Sequence, residues 1–124
     1  MDERRHGLIA DCRIRAATDL FVHTWDPVVL SALRPGSLRR RELRAAIGGL
    51  SDKALTDALT RLLGNGLIER SRFAQAPPRV VYALTPLGES LVNGPMIALG
   101  EWISAHGDEL LEAQEAAQKA QSNA

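Results

Sequence analysis

Thirteen arginines, against two lysines, are the most chemically pointed feature of this 124-residue chain. Between Arg34 and Tyr82 stand ten basic and four acidic residues, a local net of +6. The whole chain is neutral, with 15 basic and 15 acidic groups, because residues 86–124 hold one lysine and six acids. A basic block on a neutral chain points to a surface that faces a polyanion, with a different task at the C-terminal end. Arginine adds bidentate contact to phosphate or guanine, which a lysine ammonium lacks. The plainer alternative is a solvated arginine-rich face, since arginine is mostly exposed in any protein.

Other chemistries find no constellation. His6, His23 and His106 are far apart, and none stands at metal-ligand spacing with Cys12. Gly64-Asn65-Gly66 follows a helical pattern, so it reads as a helix stop and not as a phosphate loop. A Cys12–His nucleophile has no positional support. The expectation is a protein that is not an enzyme and uses no cofactor and no metal. The single cysteine excludes an intrachain disulfide. No uncharged run approaches the roughly 20 residues of a bilayer span. Met1 to Arg5 is charged with no apolar run behind it, which speaks against a signal peptide. The expected compartment is the cytoplasm, without a membrane partner. Hydrophobic residues at 45% and charged residues at 24% suit one globular domain over 1–124.

The elements that must position the arginines follow from period and punctuation. Residues 1–10 read as a frayed lead-in. Ile14, Ala17, Phe21 and Val22 predict a helix over 11–22. Asp26 as cap and Pro27 at the first helical position start a second helix, which Pro35-Gly36 ends. Arg39 or Arg40 to Ile47 is a short third helix, stopped by Gly48-Gly49. Ser51 is a preferred N-cap and Asp52 complements the helix dipole, so a fourth helix opens there. Its stripe is Leu55, Leu59, Leu62 and Leu63. The period then changes. Leu67–Phe73 and Arg79–Leu84 predict strands joined by Ala74-Gln75-Ala76-Pro77-Pro78, a β-hairpin over 67–84. Thr85 caps and Pro86 starts a helix to about 112, interrupted at Gly94-Pro95. Residues 113–124, rich in alanine and glutamine, are expected to fray.

Helix, short helix, capped helix and basic hairpin, in that order, is the winged helix-turn-helix arrangement. The fold class is mainly α with a small β-hairpin wing, an α+β fold, and the core spans 26–85. In this arrangement the helix over 51–65 enters the major groove of double-stranded DNA, where base edges are distinguishable. Its polar face carries Lys53, Thr56, Asp57, Thr60 and Arg61, with Ser51 beside the phosphate at the helix start. Arg39 and Arg41 belong to the same basic block, and Arg70, Arg72 and Arg79 lie on the wing. The alternative is a winged helix that binds a protein through its hairpin and acidic tail.

Several stretches resemble a known family. They are Trp25 to Leu33, Glu42-Leu43-Arg44, Leu50 to Leu55, Glu69-Arg70, and above all Pro77-Pro78-Arg79-Val80-Val81-Tyr82-Ala83-Leu84-Thr85-Pro86-Leu87-Gly88. Together they resemble the HxlR-type regulators, relatives of the MarR group of bacterial transcription factors, from about Asp11 to Trp102. The resemblance implies a homodimeric repressor or activator on a pseudo-palindromic operator. It also implies that the helices over 11–22 and 86–112 dimerise, and that a small-molecule, redox or electrophile signal switches the protein. Cys12 aligns with an N-terminal cysteine shared by many members, which makes it the candidate sensor. Phe21, Trp25, Met96 and Trp102 are candidates for an effector pocket, with core packing as their other use. The chain departs from the pattern at Thr24, where a lysine is usual, and at Arg40 and Arg41, which replace an apolar residue and a serine cap. Asp57 and Ala58 stand where a glutamine–arginine pair is common.

Overall fold

The computed structural model describes residues 12–123, except the side chains of Cys12 and Ile14. In chain order the elements are α1 (Cys12–Asp19), α2 (Trp25–Ala32), α3 (Arg40–Ile47), α4 (Asp52–Gly64), β1 (Ile68–Phe73), β2 (Arg79–Leu84), α5 (Pro86–Asn93) and α6 (Pro95–Ser122). This is the expected mainly helical fold with one antiparallel hairpin. Internal contacts group the chain into two units, Met1–Glu89 and Ser90–Ala124.

In the first unit, α2, α3, α4 and the hairpin close over an aliphatic core. Val29, Leu30, Leu33, Leu43, Leu55 and Leu62 are fully buried, and each contributes roughly 2 kcal/mol of transfer free energy. The fourth-helix stripe turns by one position from expectation. Ala58 is fully buried beside Leu55, Leu59 and Leu62, whereas Leu63 is 37% exposed. The cause is the 3.6-residue period: Ala58 sits between Leu55 and Leu62 on the inner face, and Leu63 falls at its edge.

Helix ends follow local chemistry. Ser51 Oγ accepts from the Ala54 N–H at 3.0 Å, the expected cap. Asp26 is not a cap. Its carboxylate lies inside the first turn of α2, taken by Arg61, and Thr24 occupies the cap position without a side-chain bond. The start of α3 lacks a cap oxygen, yet Glu42 reaches back to accept from the Arg39 N–H at 2.7 Å. That is one half of a capping box.

Thr85 joins three elements. Its hydroxyl donates to the Gly66 carbonyl at 2.6 Å and accepts from the Gly88 N–H at 3.1 Å, capping α5. A Cβ at Gly88 would run into the Leu67 carbonyl, so only glycine lets α5 approach the start of β1 this closely.

The hairpin pairs Ile68 with Leu84 through Phe73 with Arg79. A feature invisible to periodicity lies on its other edge. Leu38 and Tyr82 exchange both backbone hydrogen bonds, at 2.9 and 2.8 Å. The segment before α3 thereby covers one edge of β2 and fixes where α3 begins.

α1 ends at Asp19, and residues 20–22 form a turn instead of the last part of a helix. Asp11 and the lead-in lie outside the described residues. The expected break falls at Gly94, and Pro95 opens α6. α6 continues past Glu112 to Ser122, because alanine, glutamine, glutamate and lysine are strong helix formers. No helix among the described residues is long and apolar enough to cross a membrane.

Candidate nucleic-acid interface

α4 is held from both ends by arginine–aspartate pairs of opposite character. Near its C-terminus, Arg61 grips Asp26 of α2 with three hydrogen bonds of 2.7 to 3.2 Å. Asp26 is 5% exposed and Arg61 31% exposed, so this bidentate pair is largely withdrawn from water. The hydrogen bonds that Arg61 donates to the Asp26 carboxylate raise the guanidinium above the ordinary arginine value. Arg61, expected on the groove face, directs its Nε and Nη2 donors to Asp26.

At the N-terminus of α4, Arg40 of α3 meets Asp52 in the open. Its Nη2 donates to Asp52 Oδ1 at 2.7 Å, to the Asp52 carbonyl at 3.0 Å and to Thr56 Oγ1 at 2.6 Å. Arg44 adds a longer contact to the same carboxylate at 3.8 Å. The hydrogen bond from Arg40, then its charge, lowers the Asp52 carboxyl below the ordinary aspartate value, with Arg44 helping. An open cavity of about 470 Å³ between α3 and α4 is bordered by Arg40, Arg41, Arg44 and Asp52.

The remaining polar groups of α4 also bond internally. Lys53 Nζ donates to Asp57 at 3.0 Å, an exposed i,i+4 pair. The Thr60 hydroxyl donates to the Thr56 carbonyl at 2.8 Å. Ser51, Lys53, Thr56 and Thr60 are all exposed, and Asp57 is half-buried.

The wing differs. Arg70, Arg72 and Arg79 are exposed, and no guanidinium of the three has a hydrogen bond or ion pair among the described residues. The register places Arg70 and Arg72 on one face with Tyr82 and Val80, and Arg79 on the other with Phe73. Arg39 and Arg41, flanking Arg40, are likewise without side-chain partners among the described residues.

The other candidates fall elsewhere. Trp25 is half-buried and borders an open cavity of about 360 Å³ with His23, Asp57 and Arg61. Phe21 is 40% exposed in the turn after α1. Met96 and Trp102 belong to α6, where the Trp102 ring lies 5.2 Å from that of His106. Cys12 stands at the start of α1, and its side chain lies outside the described residues. No cluster of three or more metal-ligating side chains occurs among the described residues.

Two residues central to this geometry, Asp26 and Arg40, escape sequence reasoning. Each finds its partner in a distant element, 35 and 12 residues away. Only the excess of arginine hinted that some would serve internal pairing.

Residues 20–110 match the family described as HxlR-like helix-turn-helix. The uncharacterised helix-turn-helix-type transcriptional regulator YtfH of Escherichia coli K12 is 38% identical over 100 residues, covering 81% of this chain and 79% of YtfH. Among solved structures, a candidate MarR-family regulator from Porphyromonas gingivalis W83 is 35% identical with a TM-score of 0.67, covering 88% of this chain and 95% of that one. The reduced form of the transcriptional regulator YodB from B. subtilis is 27% identical with a TM-score of 0.65, covering 78% of this chain and 90% of YodB. These relatives are transcriptional regulators and not enzymes. The chain belongs to the HxlR-like helix-turn-helix family of transcriptional regulators.

Proposed function

We propose that the protein binds a pseudo-palindromic double-stranded DNA operator as a homodimer in the cytoplasm, with α4 in the major groove and the hairpin on the flanking backbone. The observation that carries this reading is the set of guanidiniums that have no partner among the described residues: Arg39 and Arg41 at the start of α3, and Arg70, Arg72 and Arg79 on the hairpin. Unpaired arginines retain their full capacity for phosphate. Ser51, Lys53, Thr56, Asp57 and Thr60 then face the groove. Arg61 contributes through its hold on Asp26.

The homodimer is supported by α6. Leu99, Trp102, Ile103, Leu110 and Leu111 are exposed along it, and no described residue of α6 is buried. A contiguous apolar stripe of this kind is a liability on a monomer. Sedimentation equilibrium at micromolar concentration should give twice 13.5 kDa, and a 13.5 kDa species contradicts the dimer.

DNA binding is tested by elution from heparin followed by a gel shift with random duplex. Retention and a shift that weakens steeply with salt are expected. Retention without any shift favours the protein-interaction alternative. For the switch, the solved relative YodB was captured in a reduced form, and this chain has a single thiol at Cys12. A thiol signal must then act between subunits or by adduct formation. Diamide should release DNA from the wild type and not from Cys12→Ser. Equal release from both assigns the switch to another signal, with the cavity beside Trp25 as the next place to test.

A further inference from the structure

The groove face of α4 carries two threonines one helical turn apart whose hydroxyls are engaged in opposite hydrogen-bonding senses. A guanidinium has no acceptor, so in the 2.6 Å contact Arg40 donates and Thr56 Oγ1 accepts. No described group receives the Thr56 hydroxyl hydrogen. At Thr60 the situation is reversed. Its hydrogen is spent on the Thr56 carbonyl at 2.8 Å, leaving its lone pairs without a described partner. Both residues are exposed. Lys53 and Asp57, beside them, are closed onto each other, so the longer side chains on this face neutralise one another.

We propose that Arg40 makes Thr56 an outward hydrogen-bond donor, while the helix backbone makes Thr60 an outward acceptor, and that this ordered pair sets the base preference of α4. The inference deepens the DNA reading above and rests on it. A donor at Thr56 matches an acceptor edge in the major groove: guanine N7 or O6, adenine N7 or thymine O4. An acceptor at Thr60 matches an exocyclic amino group, on cytosine or adenine. Four residues of helix rise about 6 Å, which spans roughly two base pairs. The expected half-site therefore has a column selecting an amino-bearing base and, about two pairs away, a column selecting an acceptor-rich edge. Arg40 is a positioning residue: it acts on the base through Thr56.

The test is selection of bound duplexes from a random pool, run with wild type, Thr60→Val, Thr60→Ser, Thr56→Val and Arg40→Met, with thermal unfolding of each as a folding control. Valine keeps the shape and removes the hydroxyl. Thr60→Val should flatten one column from about tenfold preference to near parity, and Thr60→Ser should restore it. Thr56→Val should flatten a second column. Arg40→Met should leave the Thr60 column intact and widen the Thr56 column to admit amino-bearing bases, because the hydroxyl is no longer held by the guanidinium in the orientation that favours donation. Columns unchanged in Thr56→Val and Arg40→Met, with duplex still selected, overturn this inference and leave the DNA reading standing. A wild type that enriches no duplex at any salt overturns both.

Discussion

On α4, Lys53 is closed onto Asp57 and Arg61 onto Asp26, whereas on the hairpin Arg70, Arg72 and Arg79 keep their guanidiniums unpartnered among the described residues. The two regions carry the same kind of charge and use it differently. Charge on α4 is spent on internal pairs, with Asp57, with Asp26 and with Arg40 of α3. Charge on the wing is left for an external anion. On the DNA reading proposed above, the wing supplies affinity that is indifferent to sequence and the helix supplies choice.

The largest effect should come from the wing. Replacing Arg70, Arg72 and Arg79 together with alanine removes up to three charge-assisted hydrogen bonds per protomer, each worth about 1.5 kcal/mol, or roughly a thousandfold for each protomer bound. The weakening should be equal for specific and random duplex. The slope of log affinity on log salt should be flatter by about 0.9 for each phosphate that is no longer neutralised. A change confined to one operator sequence breaks the division. Because Arg79 faces away from Arg70 and Arg72 across the ribbon, the single variants should be unequal.

The next effect is on stability. Arg61→Ala strands the Asp26 carboxylate in a site only 5% exposed. A cost of about 3 kcal/mol in urea unfolding is expected, at the low end of the range for a buried pair because Arg61 is partly solvated. An Arg61→Ala protein of wild-type stability that has lost only DNA affinity returns this arginine to the groove.

Ser51→Ala removes the cap of α4 and should cost about 1 kcal/mol, read as a lower urea midpoint at unchanged m-value.

The smallest effect is that of the exposed pair. Arg40 depresses the Asp52 carboxyl below its ordinary value of 3.8. A depressed acid contributes stability that is complete above the unfolded value and lost as pH falls through the folded one. The stability difference between wild type and Arg40→Met should be small at pH 7, begin to shrink near the ordinary aspartate value and vanish once the pH has fallen through the depressed folded one. A difference that grows on acidification contradicts the pairing.

Legibility in the sequence followed the range of the interaction. Ser51, Thr85, Pro86 and Gly94-Pro95 announce helix ends because capping acts within three residues. The hairpin is announced by the change of period and the double proline. The stripe of α4 is legible to within one position, and the discrepancy at Leu63 arises because leucines outweigh the smaller Ala58 in any apolar pattern. Asp26 looks like a cap because its partner, Arg61, lies 35 residues away and no local rule connects them. The bridge between Leu38 and Tyr82 and the reach of Arg40 to Thr56 are hidden for the same reason. The tail after Glu112 misleads the other way: its helix propensity outweighs its lack of apolar residues.

The central claim, that free wing arginines bind DNA backbone while α4's charges are internally committed, meets its most direct test in a salt titration of duplex binding by fluorescence anisotropy. Wild type, the triple wing variant and Lys53→Ala should be measured on one random duplex. The account predicts a steep salt dependence for wild type, a much flatter one for the wing variant, and little change for Lys53→Ala. A wing variant with the wild-type slope, or a Lys53→Ala protein that flattens it as much as the wing variant does, would contradict the account.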